Sequence, residues 1–507
     1  MAIIGTFLKS TTRVGYNYGA KRRKTNPEQS KVLLDLLSKA KKTNFGKKFN
    51  FSSILESEDI CNAFRKEIPL FTYESFFDPY IKAQLEGEKN VAWPNKINYF
   101  ALSSGTTTDT SKRIPVSDQM IRQFQKTTLE QLLLLHELNL PSQFFQSSVL
   151  TIGGSTKLVE ELHHFEGDLS GILQKNKSFV YRLFSKPGNK IAQLKDWNQK
   201  LDEIVKNAPK WDIGVIAGAP SWILILLQRI VKDYQLNSIH DIWPNFRLFL
   251  HGGVYLDTYK GKIEALCEKP IIFKNTYLAS EGYFAYQKNQ TDEGMTLLTK
   301  HGIYYEFIEE KYFDIINTDN DVSNIPTCLL SEVEENKNYG LVISTSSGLW
   351  RYFIGDVIKF TDLSKLQLEI VGRVKHMLNM VGEHLSLENM NKALQQTADK
   401  FSMATEEYCV IPSKKDGRHH WYIGTNQLVD HQKFAVVLNQ ELEALNDDYK
   451  YVRKYLLKTP RVKMLPIQKF YEFMEEKNKL GGQHKFPRVL NKDQALEWEA
   501  FLSSFDW

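Results

Sequence analysis

Three kinds of residue in this chain could handle an anionic substrate: a hydroxyl-and-glycine run, carboxylates at the ends of apolar segments, and lysines beside glycines. The run Ser103, Ser104, Gly105, Thr106, Thr107, Thr108 and Asp109 follows the apolar segment Tyr99 to Leu102 and precedes Lys112 and Arg113. Small residues let the backbone approach a ligand, and successive N–H groups in such a turn form an anion nest. Hydroxyls add donors and the two cations add charge, so the run suits a polyphosphate. It lacks the G-x-x-x-x-G-K-[ST] spacing of a P-loop. By itself a Ser/Thr/Gly cluster is more often a solvated turn.

Further along, Tyr277 is followed by Ser280, Glu281 and Gly282. The aromatic ring could stack on a purine, the Ser280 hydroxyl could reach a phosphate, and Glu281 could hold Mg²⁺ through one carboxylate. The ordinary alternative is a strand end with Ser280 capping a following helix. Asp356, after Gly355, offers a carboxylate able to accept both vicinal hydroxyls of a ribose, although Gly-Asp is usually just a turn. Arg373 and Lys375 present two cations, or else charges on a surface hairpin. Gly481 and Gly482 form a loop that could carry Lys485 into a cleft, where a compact point charge on a long stem suits an anionic transition state; the alternative is an exposed tail. The histidine pairs His163–His164 and His419–His420 have no third ligand at matching spacing, so a metal centre from them is not expected. There is no G-x-S-x-G element.

Those residues need a scaffold. Short apolar segments end repeatedly in glycine-rich turns: Ser148 to Ile152 before Gly153, Ile213 to Ala217 before Gly218, Arg247 to Leu250 before His251, Gly252 and Gly253, and Ile271 to Thr276 before Tyr277. Helical patterns alternate with them, which predicts an α/β core. Ligands in such sheets sit outside the carboxyl ends of the strands. A long helix is expected from Ser117 to Leu138, with Ile121, Phe124, Leu129, Leu132 and Leu133 as its apolar stripe. Ser30 to Ala40 reads as a helix burying Val32, Leu33, Leu36 and Leu37. From 303 to 374 the pattern is strand-rich, including one strand over Gly348 to Asp356. A polar break at Thr361 to Lys365 marks the expected boundary between a large unit, 1–364, and a smaller α+β unit, 365–507. In the smaller unit Tyr408 to Ile411 and His420 to Ile423 read as strands and 430–445 as a helix.

Composition narrows the class. At 507 residues the chain is too long for one core, and 42% hydrophobic with 25% charged residues describes an ordinary globular protein. A net charge of +5 spread over this length does not argue for nucleic acid. Four scattered cysteines, Cys61, Cys267, Cys328 and Cys409, have no redox or metal spacing and are expected as reduced, mostly buried thiols. The apolar start, Met1 to Leu8, has its basic residue after the run, where a signal peptide has it before. The run Trp222 to Leu227 is far too short to span a membrane. A cytoplasmic location, with no membrane and no nucleic-acid partner, is expected.

Taken in order, these motifs resemble the Gretchen Hagen family of auxin-responsive acyl acid amido synthetases, and bacterial-type members in particular. That family belongs to the adenylate-forming superfamily of luciferases and acyl-CoA synthetases. The likeness runs from Lys42–Lys47 to Pro487 and Arg488. It implies an α/β (α+β) architecture: a large N-terminal adenylation domain of β-sheets flanked by helices, binding ATP and acyl acid, and a smaller mobile C-terminal domain carrying Lys485. By the same resemblance Ser103, Ser104, Gly105, Thr106 and Thr107 are the phosphate loop, and Gly252 and Gly253 pass beside the adenine. Tyr277 stacks on it, Ser280 contacts the α-phosphate and Glu281 holds Mg²⁺. Asp356 and Arg373 are ribose-site residues, Lys375 lies at the hinge, Lys485 assists adenylation, and Gly382 lines the acceptor channel. Two departures stand out: Leu278 where a small or polar residue is expected, and Glu383–His384 where bacterial members often have two acids. The implied activity is ATP- and Mg²⁺-dependent joining of a small carboxylic acid to an amine, in particular an amino acid, through an acyl-adenylate. The acid's pocket is expected to use the 117–138 helix and the region near Trp222. A thiol acceptor, giving an acyl-CoA ligase, and a non-catalytic nucleotide or acyl binder of the same fold stay open.

Overall fold

The computed structural model describes residues 9–11, 29–103, 112–177, 179–253, 256–313, 315–316, 322–374, 378, 380, 383, 385–413, 415–477, 486–490 and 492–503. Two compact units divide mainly between Glu369 and Ile370, and Asp257–Tyr259 group with the second.

In the large unit the strands are β1 (Tyr99–Ser103), β2 (Lys112–Val116), β3 (Ser148–Thr151), β4 (Val159–Glu160), β5 (Phe165–Gly167), β6 (Ser185–Lys186), β7 (Ile213–Gly218), β8 (Leu248–His251), β9 (Ile272–Ala279), β10 (Gly282–Tyr286), β11 (Met295–Leu297), β12 (Ile303–Glu309), β13 (Asn338–Thr345), β14 (Tyr352–Asp362) and β15 (Gln367–Arg373), the last running across the division. Strands β1, β2, β4 and β5 make a four-stranded sheet. The other eleven make one sheet in the order β12-β13-β14-β15-β11-β10-β9-β8-β7-β3-β6. Its β6-β3-β7-β8-β9 half is parallel, as the apolar runs required. Strand β9 pairs parallel with β8 and antiparallel with β10, so it is the seam between the two halves.

The seam replaces the helix that Ser280 was considered to cap. Ser280 and Glu281 form the turn of a hairpin joining β9 to β10, with Ala279 opposite Gly282. The residues after the turn, Gly282 to Tyr286, are apolar and aromatic and all buried; that composition favours a strand.

Helix Asp118–Leu134 starts at Ser117, whose hydroxyl accepts from the Met120 N–H at 3.1 Å. It ends earlier than expected, passing into a 3₁₀ turn at Leu135–Glu137. Its stripe also differs: Leu129 is exposed and Thr127 is buried in its stead. Thr127 satisfies its hydroxyl locally, donating to the Gln123 carbonyl at 3.0 Å, a bond that lets a polar residue sit on a buried helix face.

Helix Gln29–Ala40 buries Leu33, Leu36, Leu37 and Ala40, leaving Val32 half-buried. Phe45 lies at the centre of a ring cluster with Phe51, Phe71, Phe76, Tyr80 and Trp350. The strand expected from Gly348 begins only at Tyr352. Before it, Arg351 takes φ +40° and its side chain enters the core.

The small unit has a three-stranded sheet, β16 (Tyr408–Ser413), β17 (Arg418–Gly424) and β18 (Arg461–Leu465). Helices Leu387–Lys400 and His431–Leu445 pack with it through Leu394, Trp421, Phe434 and Leu438. Glu383 and His419, both fully buried, pair at 2.8 Å, and Glu383 also accepts from the Met380 N–H at 2.8 Å. The four thiols are free. Cys409 alone is buried, where mostly buried thiols were expected, and burial pushes its thiol well up.

Candidate active site

The end of the seam strand gathers several of the expected residues. Tyr277 donates its hydroxyl hydrogen to Asp356 Oδ2 at 2.7 Å, joining β9 to β14 across 79 positions of sequence. Both side chains are buried, at 4% and 7% exposure. A hydrogen bond to a charged acceptor of this kind contributes about 1.5–3 kcal/mol. The ring of Tyr277 packs edge-on against Phe284, centroids 4.9 Å apart. In this structure it is therefore the hydroxyl, more than the ring face, that reaches a functional group. Beside Asp356 the chain leaves space: a Cβ built on Gly355 meets nothing within 4 Å.

Gly252 comes to the same strand. A Cβ at Gly252 would overlap the Thr276 carbonyl, so only glycine lets the end of β8 lie this close to the residue before Tyr277. Thr276 ties the two strands again, donating from its hydroxyl to the His251 carbonyl at 2.8 Å. Gly253 and Leu278 are exposed. Leu278 points away from the buried ring of Tyr277, as alternation along a strand demands.

Glu281, in the hairpin turn, is 7% exposed and lines a cavity walled on the other side by helix Asp118–Leu134, through Met120, Gln123, Phe124 and Thr127. His301, Thr345 and Ser346 add to its polar lining. Ser346 donates to Gln123 Oε1 at 2.7 Å. Tyr283, also in the lining, accepts from Gln131 Nε2 at 2.6 Å, and burial pushes its phenol far up, so it stays protonated. The helix thus contributes four residues to this cavity. Trp222 does not line it; Trp222 packs on Trp197, centroids 4.7 Å apart.

Other expected residues lie elsewhere or outside the described set. Ser103 ends β1 opposite Lys112, in the four-stranded sheet. The charge that Lys112 and Arg113 were expected to lend is answered within the protein. Lys112 lies 3.4 Å from Glu74 and 4.9 Å from the Tyr73 ring, and Arg113 Nε lies 2.6 Å from Glu166. Glu166 is shared with His164 at 2.9 Å. Arg373 closes β15 and belongs to the small unit. Ser104, Gly105, Thr106, Thr107, Lys375, Gly382 and Lys485 lie outside the described residues.

The site residues fit magnesium only as a one-carboxylate position. Among the described residues no group of three or more His, Cys, Asp or Glu side chains could hold a metal ion. Magnesium in nucleotide sites commonly takes one or two carboxylates, with phosphates and water supplying the rest, and Glu281 is the one carboxylate expected to serve there. Sequence reasoning missed His301, Glu130 and Gln123. Their partners are distant in the chain, and no local spacing marks them.

The fold is that of the adenylate-forming enzymes. The chain superimposes on a GH3.15 acyl acid amido synthetase with a TM-score of 0.75 at 17% identity, covering 93% of this chain and 92% of that one. It superimposes on 2-hydroxyisobutyryl-CoA ligase in its postadenylation state with a TM-score of 0.60 at 12% identity, covering 94% and 91%. Sequence comparison is more specific. Residues 19–158 match the GH3 family N-terminal domain, 296–373 its central domain and 388–494 its C-terminal domain. The chain belongs to the GH3 family. Similar curated proteins include the indole-3-acetic acid-amido synthetase GH3.2 of Arabidopsis thaliana, 20% identical over 84% of this chain and 91% of that protein. Another is the indole-3-acetic acid-amido synthetase GH3.8 of Oryza sativa subsp. indica, 22% identical over 73% and 70%.

Proposed function

We propose that this protein is an ATP-dependent acyl acid amido synthetase. In the first half-reaction a carboxylate oxygen of a small acid attacks the α-phosphorus of ATP, forming the acyl-adenylate and releasing pyrophosphate. In the second an amine nitrogen, supplied by an amino acid, attacks the acyl carbon; AMP leaves and the nitrogen gives up its proton. No protein nucleophile takes part, so the enzyme's contribution is positioning and charge stabilisation.

The observation that carries this reading is the 2.7 Å bond between Tyr277 and Asp356, at the seam strand whose hairpin turn also holds Glu281. A carboxylate fixed by a tyrosine, beside open space, suits the paired hydroxyls of a ribose. Gly253, exposed just past the end of β8, suits the close approach of a base there. Ser280 and the 103–107 run offer donors to phosphate, with Arg373 and Lys375 as further cations. Glu281 would hold Mg²⁺, which when bound neutralises phosphate charge. Lys485 supplies positive charge as the adenylate forms. The four free thiols suit a cytoplasmic setting, where ATP and amino acids are abundant.

The test is product identification. The enzyme is incubated with Mg·ATP, a panel of carboxylic acids that includes indole-3-acetate, and either mixed amino acids or coenzyme A. The expected products are AMP and a mass equal to acid plus amino acid minus water. A thioester mass with coenzyme A and no amide would replace this reading with an acyl-CoA ligase. AMP without any conjugate would remove the second half-reaction.

A further inference from the structure

His301 stands just before β12, 8% exposed, and lines the same cavity as Glu281. Its Nε2 lies 3.0 Å from Glu130 Oε2 on helix Asp118–Leu134. An ionised carboxylate only accepts, so Nε2 carries the hydrogen, and in the neutral ring Nδ1 is then a bare acceptor. Nδ1 is sealed from solvent and has no hydrogen-bond partner in the protein. The ring is not placed to turn and find one. Glu130 holds one nitrogen, and the next residue, Gly302, at φ +71°, is pressed against the Gln123 side-chain amide where a Cβ would be.

A buried polar atom left without a partner costs about 1–3 kcal/mol. In native structures such an atom is usually answered by a group not shown, such as water or ligand. The cavity that His301 lines is partly open and gives about 10 Å³ of room to the centre of a water-sized group, and Met120, Phe124 and Ile303 make much of its wall apolar. That volume is about what one water-sized group occupies. The group that satisfies Nδ1 must therefore be compact, must donate a hydrogen bond, and must sit among apolar atoms.

We infer that His301 is a specificity-determining residue for the acid substrate, reading a single hydrogen-bond-donating substituent, so that the preferred class is a hydroxyl-bearing carboxylic acid over the same acid without the hydroxyl. Glu130 is the positioning residue that fixes the tautomer. The inference rests on the adenylating reading of this site. It goes beyond that reading by stating what the acid must carry. A site built to bond a substrate hydroxyl discriminates strongly against the analogue that lacks it, because the protein's own polar atom is then left unpaired.

The experiment uses the full-length enzyme and acid-dependent ATP–pyrophosphate exchange with matched acids: 4-hydroxyphenylacetate against phenylacetate, 3-hydroxybenzoate against benzoate, and 3-hydroxybutyrate against butyrate. The readout is the kcat/KM ratio within each pair. Wild type is expected to favour the hydroxylated member of at least one pair by about tenfold or more. His301→Leu should bring that ratio near one while keeping exchange with the acid that lacks the hydroxyl. His301→Asn, which keeps an acceptor, should recover part of the ratio. Should His301→Leu fail to fold in a thermal melt, Glu130→Gln takes its place. Its amide removes the charge that holds Nε2, so the ring is fixed less firmly and the ratio should fall there too, by less than in His301→Leu. A wild-type ratio near one in every pair that supports exchange would overturn the inference, the cavity then holding only a structural water. A ratio unchanged in all variants would overturn it as well. Exchange with no acid at all would strike the adenylating reading first and take this inference with it.

Discussion

Two buried polar groups lie five residues apart at the start of β14 and are treated in opposite ways. Arg351 is bound on every side by the protein. Its guanidinium meets Glu306 through Nε at 3.2 and 3.1 Å and through Nη2 at 3.0 Å. It also donates to Thr327 Oγ1 at 2.9 Å, to the Arg65 carbonyl at 2.8 Å and to the Ile68 carbonyl. The pair is 5% and 1% exposed. Asp356, by contrast, takes its tyrosine bond at a strand position where the preceding residue borders open space. The first arrangement is closed and fastens the helical segment up to Ile68 to the sheet. The second holds a carboxylate in place while leaving room beside it. Burial alone would not separate them; the open space beside Gly355 does.

That contrast can be broken by mutation. Arg351→Met should have the largest effect, on stability, because it leaves Glu306 charged and unpaired in the core. The expected loss is about 3–5 kcal/mol, read as a large drop in the denaturant midpoint. A midpoint unchanged from wild type would make the closed network unimportant. Lys485→Ala, in a residue outside the described set, should do the reverse: melting unchanged, adenylation slowed by about 10²–10³, equivalent to about 2.7–4 kcal/mol of barrier. Amide formation from supplied acyl-adenylate should fall much less, and equal losses in both assays would remove Lys485 from adenylation. Asp356→Asn keeps an acceptor for Tyr277 and removes only the charge. It should weaken ATP binding by about 1.5–3 kcal/mol in nucleotide titration, with a small shift in melting temperature. A normal ATP affinity would take Asp356 out of the ribose site. Tyr277→Phe should be mildest, about 0.5–1.5 kcal/mol on ATP binding, since the carboxylate remains and only its tether goes. A loss larger than that of Asp356→Asn would mean that the hydroxyl does more than tether the carboxylate.

The same contrast explains what the sequence could reveal. The parallel strands were legible because residues buried on both faces make unbroken apolar runs. Ile213 to Ala217 and Ser148 to Ile152 were placed within a residue of β7 and β3. Asp356, Tyr277 and Glu281 were legible as types in an order, and as a family resemblance, but the hydrogen bond between two of them was not, since it spans 79 positions. The hairpin at Ser280–Glu281 was ambiguous because a serine before apolar residues reads as well for a helix cap as for a turn. Leu129 was assigned to the core by hydrophobicity alone, while Thr127 took its place by bonding its own helix. Arg351 was read as one more residue of a strand. Its conformation and its pairing with Glu306 follow from tertiary contacts that no local pattern records. His301 is the extreme case, a histidine given meaning only by a glutamate 171 residues earlier and a cavity that the histidine helps to line.

Acid-dependent ATP–pyrophosphate exchange tests the central claim most directly. With Mg·ATP and labelled pyrophosphate, the account predicts label in ATP when a suitable carboxylic acid is present and none when the acid is withheld, with Asp356→Asn needing more ATP to reach the same rate. Failure of every acid in a broad panel to support exchange, by an enzyme that still binds ATP and melts normally, would contradict it.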